Sequence, residues 1–296
     1  MKMRDLIVRS IVLLIAVTML NTTTNTSHAG TDENPLLADW TGPYGGVPPF
    51  DRVQIPLFKP ALEAAVAKRL TEVQKIASDT APPNFENTIV ALERTGRALD
   101  RVGTLYGIWG STMASPEYQV VQREMAPKLA AAEDEITQNE ALFKRIEAVY
   151  NSPEKAKLKP EQQRLVWVYY TQFVRAGARL SPEAKKRLSQ INQQLAGLYT
   201  KFGQNVLAEE NDQFIVLKSE EELAGLPQSV RDAAAAAAET KKQPGTWVIM
   251  NTRSSIDPFL TYSDRRDLRE KAWRMFVNRG DNGDEHDNNA TIAQIL

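Results

Sequence analysis

The stretch Ser181 to Glu210 restricts the fold more than any other part of the sequence, because it reads as one long amphipathic helix with an explicit start. Ser181 can cap it, Pro182 suits a first turn that needs no N–H, and Glu183 favours the positive end of the helix dipole. Leu188, Ile191, Leu195, Leu198, Phe202 and Val206 then recur in steps of three and four and form one apolar stripe. Such a stripe must bury against other elements. Lys185, Lys186, Gln190, Gln193, Gln194 and Lys201 mark an opposite, wet face, so the segment is a packing helix of a bundle and not a membrane span.

The residues on either side supply its partners. Phe58, Leu62, Val66, Leu70, Val73 and Ile76 make one helical stripe. A second, Phe85, Ile89, Leu92, Leu99, Val102, Tyr106 and Trp109, follows Pro82-Pro83 and a capping Asn84. Ser115-Pro116-Glu117 opens a third, Tyr118, Val121, Met125, Leu129, Ala132 and Ile136, which ends near Asn139. A shorter amphipathic piece holds Leu142, Phe143, Ile146 and Val149. A helix from about Pro160 carries Leu165, Tyr169 and Phe173 and closes at Gly177, a left-handed cap. Beyond the long helix, Gln213 to Leu217 and Trp247 to Met250 read as short strands that can pair across the helices between them. Ser219 with Glu222 forms a capping box before Pro227, and Ala233 to Ala238 favour helix by propensity. Gln243-Pro244-Gly245 is a turn. Ser263 caps a helix over Asp264 to Arg279, with Leu268, Ala272, Met275 and Phe276 inward and Gly280 as its stop.

The amino terminus has the order of a secretory signal: Lys2, Arg4 and Arg9, an apolar run from Ile11 to Leu20, then small residues at Ser27 and Ala29. The apolar run, about ten residues, is short against a bilayer core of roughly 30 Å; an uncleaved anchor over Leu6 to Leu20 is the other reading. Cleavage near Ala29 and a periplasmic mature chain are expected, with no stable membrane insertion afterwards. Residues 30–55 are rich in Pro and Gly and read as an extended lead-in, which Trp40, Tyr44 and Phe50 tack onto the helical body.

Composition excludes several chemistries. The chain has no cysteine and only two histidines, His28 and His286, the first within the leader. Disulfides, thiolate nucleophiles and a two-histidine zinc site are therefore out of reach in the mature chain. Net charge is −1, which gives no reason for a nucleic-acid partner. Asp281, Asp284, Glu285, His286 and Asp287 are the one concentration of acid and imidazole, but they lack the alternating ligands and sixth-position glycine of a calcium loop and read as a solvated connection. Gly103, Gly107 and Gly110 fit close helix approach better than a phosphate loop, since no strand precedes them. Asn288-Asn289 can cap a last helix whose Ile292, Ile295 and Leu296 begin a stripe just where the chain ends. A helix of about seven residues with no written C-cap suggests a truncation.

Several segments together resemble the amino-terminal half of the thimet oligopeptidase family of zinc metallopeptidases, most nearly its bacterial peptidyl-dipeptidase (Dcp-type) and oligopeptidase A branch. They are Pro49-Phe50-Asp51-Arg52, Phe85 to Glu93 (FENTIVALE), Gln122 to Leu129 (QREMAPKL), Phe173 to Ala178 (FVRAGA), Phe202 to Leu207 (FGQNVL), and Tyr262-Ser263-Asp264 with Leu268-Arg269-Glu270. They run in unbroken order from about Asn34 to Leu296. The resemblance implies a mainly α protein with a minor β element, two lobes and a deep channel that admits short peptide substrates. It also implies zinc on an H-E-x-x-H helix with a further Glu, the motif's Glu serving as general base. All of that lies past Leu296, so no catalytic, cofactor-binding or metal residue is assigned to any position here and no zinc is expected to bind this chain. The expected layout is a signal peptide at 1–29, the lead-in at 30–55, a helical amino-terminal lobe at 56–210 and a mixed segment at 211–296 leading toward the missing catalytic domain. A stand-alone, non-catalytic helical module that binds peptides or a protein is the alternative. An open reading frame past Leu296 containing H-E-x-x-H separates the two.

Overall fold

The computed structural model describes residues 34–296; the leader, its cleavage near Ala29 and the start of the lead-in lie outside them. Two compact units divide at Val53 and Gln54.

In the first unit the prolines and glycines set the path. Pro43–Gly45 and Phe50–Arg52 are single 3-10 turns, and Thr41 and Val47 form an isolated antiparallel bridge closed by Val47 N–H donating to the Thr41 carbonyl at 3.0 Å. Leu36 is the apolar residue fully buried in this stretch. Tyr44 is 102% exposed and sits at a φ of 60°, so it is not packed, contrary to the expectation for that residue, whereas Trp40 is half-buried. Phe50 is exposed as well.

The second unit is helical with one small sheet. Helix α1 spans Ile55–Ala77 and buries Phe58, Leu62, Val73 and Ile76, with Val66 and Leu70 half-buried. The second stripe is not one helix. A π-helical turn, Phe85–Val90, runs into the short α2, Ala91–Glu93; the chain then passes through Gly96 at a φ of 79° and restarts as α3, Arg97–Thr112. Leu92 and Leu99 are seven residues apart, about two turns, so the sequence spacing imitates one helix although the chain breaks between them. After the restart the buried face falls on Ala98, Val102 and Leu105, and Leu99 is half-buried. Asn84 caps the π turn as expected, with Asn87 N–H donating to its Oδ1 at 2.9 Å and the reciprocal bond at 2.8 Å.

Helices α4 (Pro116–Thr137), α5 (Glu140–Asn151) and α6 (Pro160–Arg175) follow, started by Ser115, Asn139 and Pro160. Gly177, at a φ of 92°, ends α6 with Ala178 N–H returning to the Phe173 carbonyl at 2.9 Å. Val73, Ile76, Phe85, Ile89, Leu142, Ile146, Val166 and Phe173 share one buried cluster across α1, the π turn, α5 and α6. At the other end of α1, the rings of Phe58 and Tyr118 meet edge to face at 5.4 Å and Tyr106 lies 5.4 Å from Tyr118, whose hydroxyl donates to the Tyr106 carbonyl.

The long helix is α7, Pro182–Asp212, capped by Ser181 Oγ, which accepts from Ala184 N–H at 3.3 Å. Its predicted stripe is only half-buried throughout, and its single fully buried side chain is Glu209. Among the described residues α7 packs along α4 and, near its end, against α11 (Asn289–Ile295), which leaves much of its circumference open.

Strands β1 (Phe214–Leu217) and β2 (Trp247–Met250) pair antiparallel with Ile215 opposite Ile249, as the sequence suggests. Helix α8, Gln228–Thr240, lies on β2 through Ala234 and Ala238; the small side chains let it come close, so the alanine run does pack. The Ser219–Glu222 box is present, with Ser219 N–H donating to Glu222 Oε2 at 3.3 Å. Helix α9 (Arg253–Tyr262) is hidden in the sequence by Pro258, which removes a ladder donor, yet it buries Ile256 and Phe259. Helix α10 starts at Arg266 and not at Asp264, running to Val277, because Ser263 Oγ accepts from Arg265 N–H at 3.2 Å just ahead of it. Ile215, Leu217, Leu223, Ile249, Phe259 and Ala272 form a second core.

Gly225 closes that core at a φ of 82°, where a Cβ would stand 2.2 Å from the Tyr262 carbonyl oxygen and 2.8 Å from Asp264 N. Backbone cannot yield there, so Gly225→Ala should cost more than about 2 kcal/mol. Gly245 has a similar φ of 77° with nothing within 4 Å, and Gly245→Ala should cost about 1 kcal/mol of left-handed strain alone. Urea unfolding midpoints of the two variants give the comparison.

The tyrosine cluster makes a pH prediction. Burial pushes the Tyr106 hydroxyl up to about 12 and Tyr118 further still, against about 10 when unfolded. The native state holds these protons more tightly, so their contribution is complete below pH of about 10 and declines as the pH rises toward the folded value of Tyr106. Tyrosinate absorbance and circular dichroism followed together should show these tyrosines ionising only with unfolding, and Tyr118→Phe should make the alkaline loss shallower.

Candidate functional site

Helix α4 is covered on two sides, by α1 and by α7, and its second face is polar. Asn192 Nδ2 on α7 donates to Asp134 Oδ1 at 2.7 Å; Arg123 Nη1 donates to Gln204 Oε1 at 2.6 Å. Gln204 Nε2 reaches the Gln119 carbonyl at 3.0 Å, and Lys185 Nζ reaches the Gln138 carbonyl at 3.0 Å. The seam between the two long helices is thus made of amides and charges, which explains why the apolar stripe of α7 stays half-open. Lys185, expected on the wet face, belongs to this seam.

Two concave places flank it. One is an open groove of about 510 Å³ whose walls include Tyr106 and Gly110 from α3, Gln122 and Ala126 from α4, and Tyr199, Gly203 and Gln204 from α7. Of the three glycines expected to bring helices together, Gly110 does so: a Cβ there would stand 3.0 Å from Gln122 Nε2. Gly103 and Gly107 face open space, as does Gly203, so the first two are no close-approach residues. Helix α3 bears on α1 through Ala98, Val102 and Leu105, and the glycines lie off that face.

The other place is a cavity of about 620 Å³ bounded by α1, α2, α4, α6 and Asn192 of α7. Arg69 pairs with Glu133 at 3.0 Å, and the Tyr169 hydroxyl donates to Glu93 Oε1 at 2.6 Å. Burial, followed by that bond to Glu93, drives the Tyr169 hydroxyl above its usual range. Gly96 sets this rim: its N–H donates to Glu72 Oε2 at 2.8 Å, and a Cβ on it would press on Arg69 Cδ at 3.1 Å. Asp134 is 7% exposed, and its Oδ2 is enclosed without a hydrogen-bond partner.

The acidic segment that stands out in the sequence is occupied with its own folding. Asp287 accepts from Gly283 N–H at 2.9 Å and Asn289 N–H at 2.8 Å, which holds its carboxyl below the usual range. Asp284 accepts from His286 N–H at 2.9 Å, and Asp281 from Asn289 Nδ2 at 2.6 Å. His286 Nε2 lies 4.0 Å from Asp212 and 3.8 Å from Glu285. Asn288 does not cap α11 with its side chain as expected; it is buried, donating to the Phe202 carbonyl at 3.2 Å and accepting from Asn205 at 3.0 Å. Among the described residues no three His, Cys, Asp or Glu side chains are placed to hold a metal, and no helix is long and apolar enough to cross a membrane. Asp134, Asn192 and Gln204 escaped the sequence reading, since a polar second face on a two-sided helix looks like solvent-facing surface.

No protein-family model matches the chain. The dipeptidyl carboxypeptidase of Salmonella typhimurium is 32% identical over 263 residues, covering 89% of this chain and 38% of that protein. The Escherichia coli protein of the same name is 31% identical over 266 residues, covering 90% of this chain and 39% of its own length. Oligopeptidase A of Escherichia coli is 27% identical over 267 residues, with 89% and 38% covered. The chain's relatives are therefore the dipeptidyl carboxypeptidases and oligopeptidases A of the thimet oligopeptidase family, and it spans less than half the length of those it matches.

Proposed function

We propose that this chain is the amino-terminal part of an exported, zinc-dependent peptidase that hydrolyses short peptides, and that it forms a wall of the substrate channel and not the chemical centre. The observation that carries the reading is the similarity to peptidases along 89% of the chain. The open groove between α3, α4 and α7, with glycine in its wall and amide side chains beside it, is the surface suited to an extended peptide. In this reading, which follows the family resemblance, the zinc, its water and the general base belong to the part of the relatives that this chain does not match.

The purified chain should therefore bind no stoichiometric zinc and hydrolyse no quenched-fluorescent oligopeptide. Joined in frame to the part of the Salmonella protein that it does not match, it should yield chelator-sensitive peptide hydrolysis. One tight equivalent of zinc on the chain alone, with turnover that survives repurification, would place the centre here and overturn the reading. Export rests on the charged start, short apolar run and small-residue site. A periplasmic chain beginning at Gly30 is expected on amino-terminal sequencing; a cytoplasmic chain that keeps Met1 would refute it.

A further inference from the structure

We propose that Asn282 is a self-modification site: spontaneous deamidation at the Asn282-Gly283 step turns an amide that clasps the buried Glu209 into a carboxylate, and so releases the end of α7 from the connection between α10 and α11. Asn282 is the one asparagine of the sequence followed by glycine. That pairing favours the reaction, because a residue without a side chain leaves its backbone nitrogen unshielded and free to turn toward the asparagine side chain. Both residues are exposed, in a bend where Gly283 sits at a φ of 67° with nothing within 4 Å of where a Cβ would stand, so water reaches the reacting atoms.

The Gly283 nitrogen bonds to Asn282 Cγ and gives up its proton, the Cγ–Nδ2 bond breaks, and Nδ2 leaves with that proton as ammonia. Water then adds to either carbonyl of the cyclic imide and opens it to aspartate or isoaspartate, whose new carboxyl ionises. In the native chain the reacting groups are restrained. Asn282 Nδ2 donates to Glu209 Oε1 at 2.7 Å and to the Asn278 carbonyl at 3.0 Å, and Gly283 N–H donates to Asp287 Oδ2 at 2.9 Å. Ring closure therefore proceeds from the transiently opened connection, and its rate follows that opening. The product cannot close the clasp again. Glu209 is 1% exposed and spends Oε2 on Gly280 N–H, while the adjacent Arg279 is paired with Glu210, so a carboxylate at 282 presents like charge where a donor stood. Loosening reaches α11 through Asn288, which donates to the Phe202 carbonyl at 3.2 Å and accepts from Asn205 at 3.0 Å. The site does not depend on the peptidase reading.

The purified chain, kept in mildly alkaline buffer and sampled by peptide mapping with mass spectrometry, tests the reaction. Asn282 should convert ahead of every other asparagine, the exposed Asn151 before Ser152 included, to a mixture of aspartate and isoaspartate. Conversion should be at least about tenfold faster in urea than in buffer, and Glu209→Gln, which gives up one accepting oxygen, should speed it in the folded chain. The consequence is read from thermal midpoints. Asn282→Asp should melt below Asn282→Ala, which loses the donor without adding charge, and Glu209→Gln should raise the Asn282→Asp midpoint, since an amide at 209 then donates to the new carboxylate. If Glu209→Gln does not fold, the two Asn282 variants decide. Conversion of Asn282 no faster than that of Asn151, equal rates in urea and in buffer, or an Asn282→Asp midpoint as high as that of Asn282→Ala would overturn the proposal.

Discussion

The position of α7 depends on polar contacts, the most enclosed of them made by the buried carboxylates of Asp134 and Glu209, and much of the second unit depends on α7. Along its first three-quarters it is held to α4 by Asn192 on Asp134 and by Arg123 and the Gln119 carbonyl on Gln204. At its end Glu209, 1% exposed, accepts from Gly280 N–H and from Asn282 Nδ2 at 2.7 Å, while Glu210 pairs with Arg279. These bonds fix register more tightly than an apolar stripe, because a slide of one residue would strand buried polar groups at a cost of about 1–3 kcal/mol each. They also leave the leucines and Phe202 half-open, which a purely apolar seam would not.

That arrangement decides what could be read from the sequence. Where a helix has one buried face, apolar spacing is sufficient: Phe58, Leu62 and Val73 on α1, and Leu142, Ile146 and Val149 on α5, are buried as their spacing predicts. Start signals were equally legible, at Asn84, Ser115 and Ser181, because a side-chain oxygen next to an orphan N–H acts locally. The break at Gly96 was not legible, since the sequence spacing imitates one helix across it. The α4–α7 seam was hidden for a different reason: Gln, Asn and Asp at helical spacing look the same whether they meet solvent or each other. Gly103, Gly107 and Gly110 recur in steps of four and three on α3, yet of the three only Gly110 meets a neighbour, so contact depends on which way α3 is turned and not on the motif.

Two of the buried clusters of the second unit are built on different scales of side chain. The one between α1, α5 and α6 uses Phe, Leu and Ile from whole helical turns, whereas the one around the sheet includes Ala234 on α8, which lies on β2, and Ala272 on α10, which packs on α9. A two-stranded sheet is marginal alone, and here α8 covers β2 while Ile256 and Phe259 of α9 add bulk from the same buried cluster. Gly225 is the point where this tight packing leaves no room for a methyl group.

Concentration of acidic residues proves a poor guide to chemistry in this molecule, and unsatisfied bonding capacity a better one. Asp281, Asp284 and Asp287 crowd into one short connection, but each carboxylate accepts from a backbone or amide N–H within it, so their charge is spent on shaping the path from α10 to α11. Glu209 is more deeply buried than any of them and is satisfied by two donors. Asp134 lies in a shorter acidic run, between Glu133, which pairs with Arg69, and Glu135. It is nevertheless the carboxylate left with an enclosed, unpartnered oxygen, beside a cavity with apolar walls. A buried charge in that state carries an unmet demand for a donor, and the energetic demand is set by its surroundings and not by its neighbours in sequence.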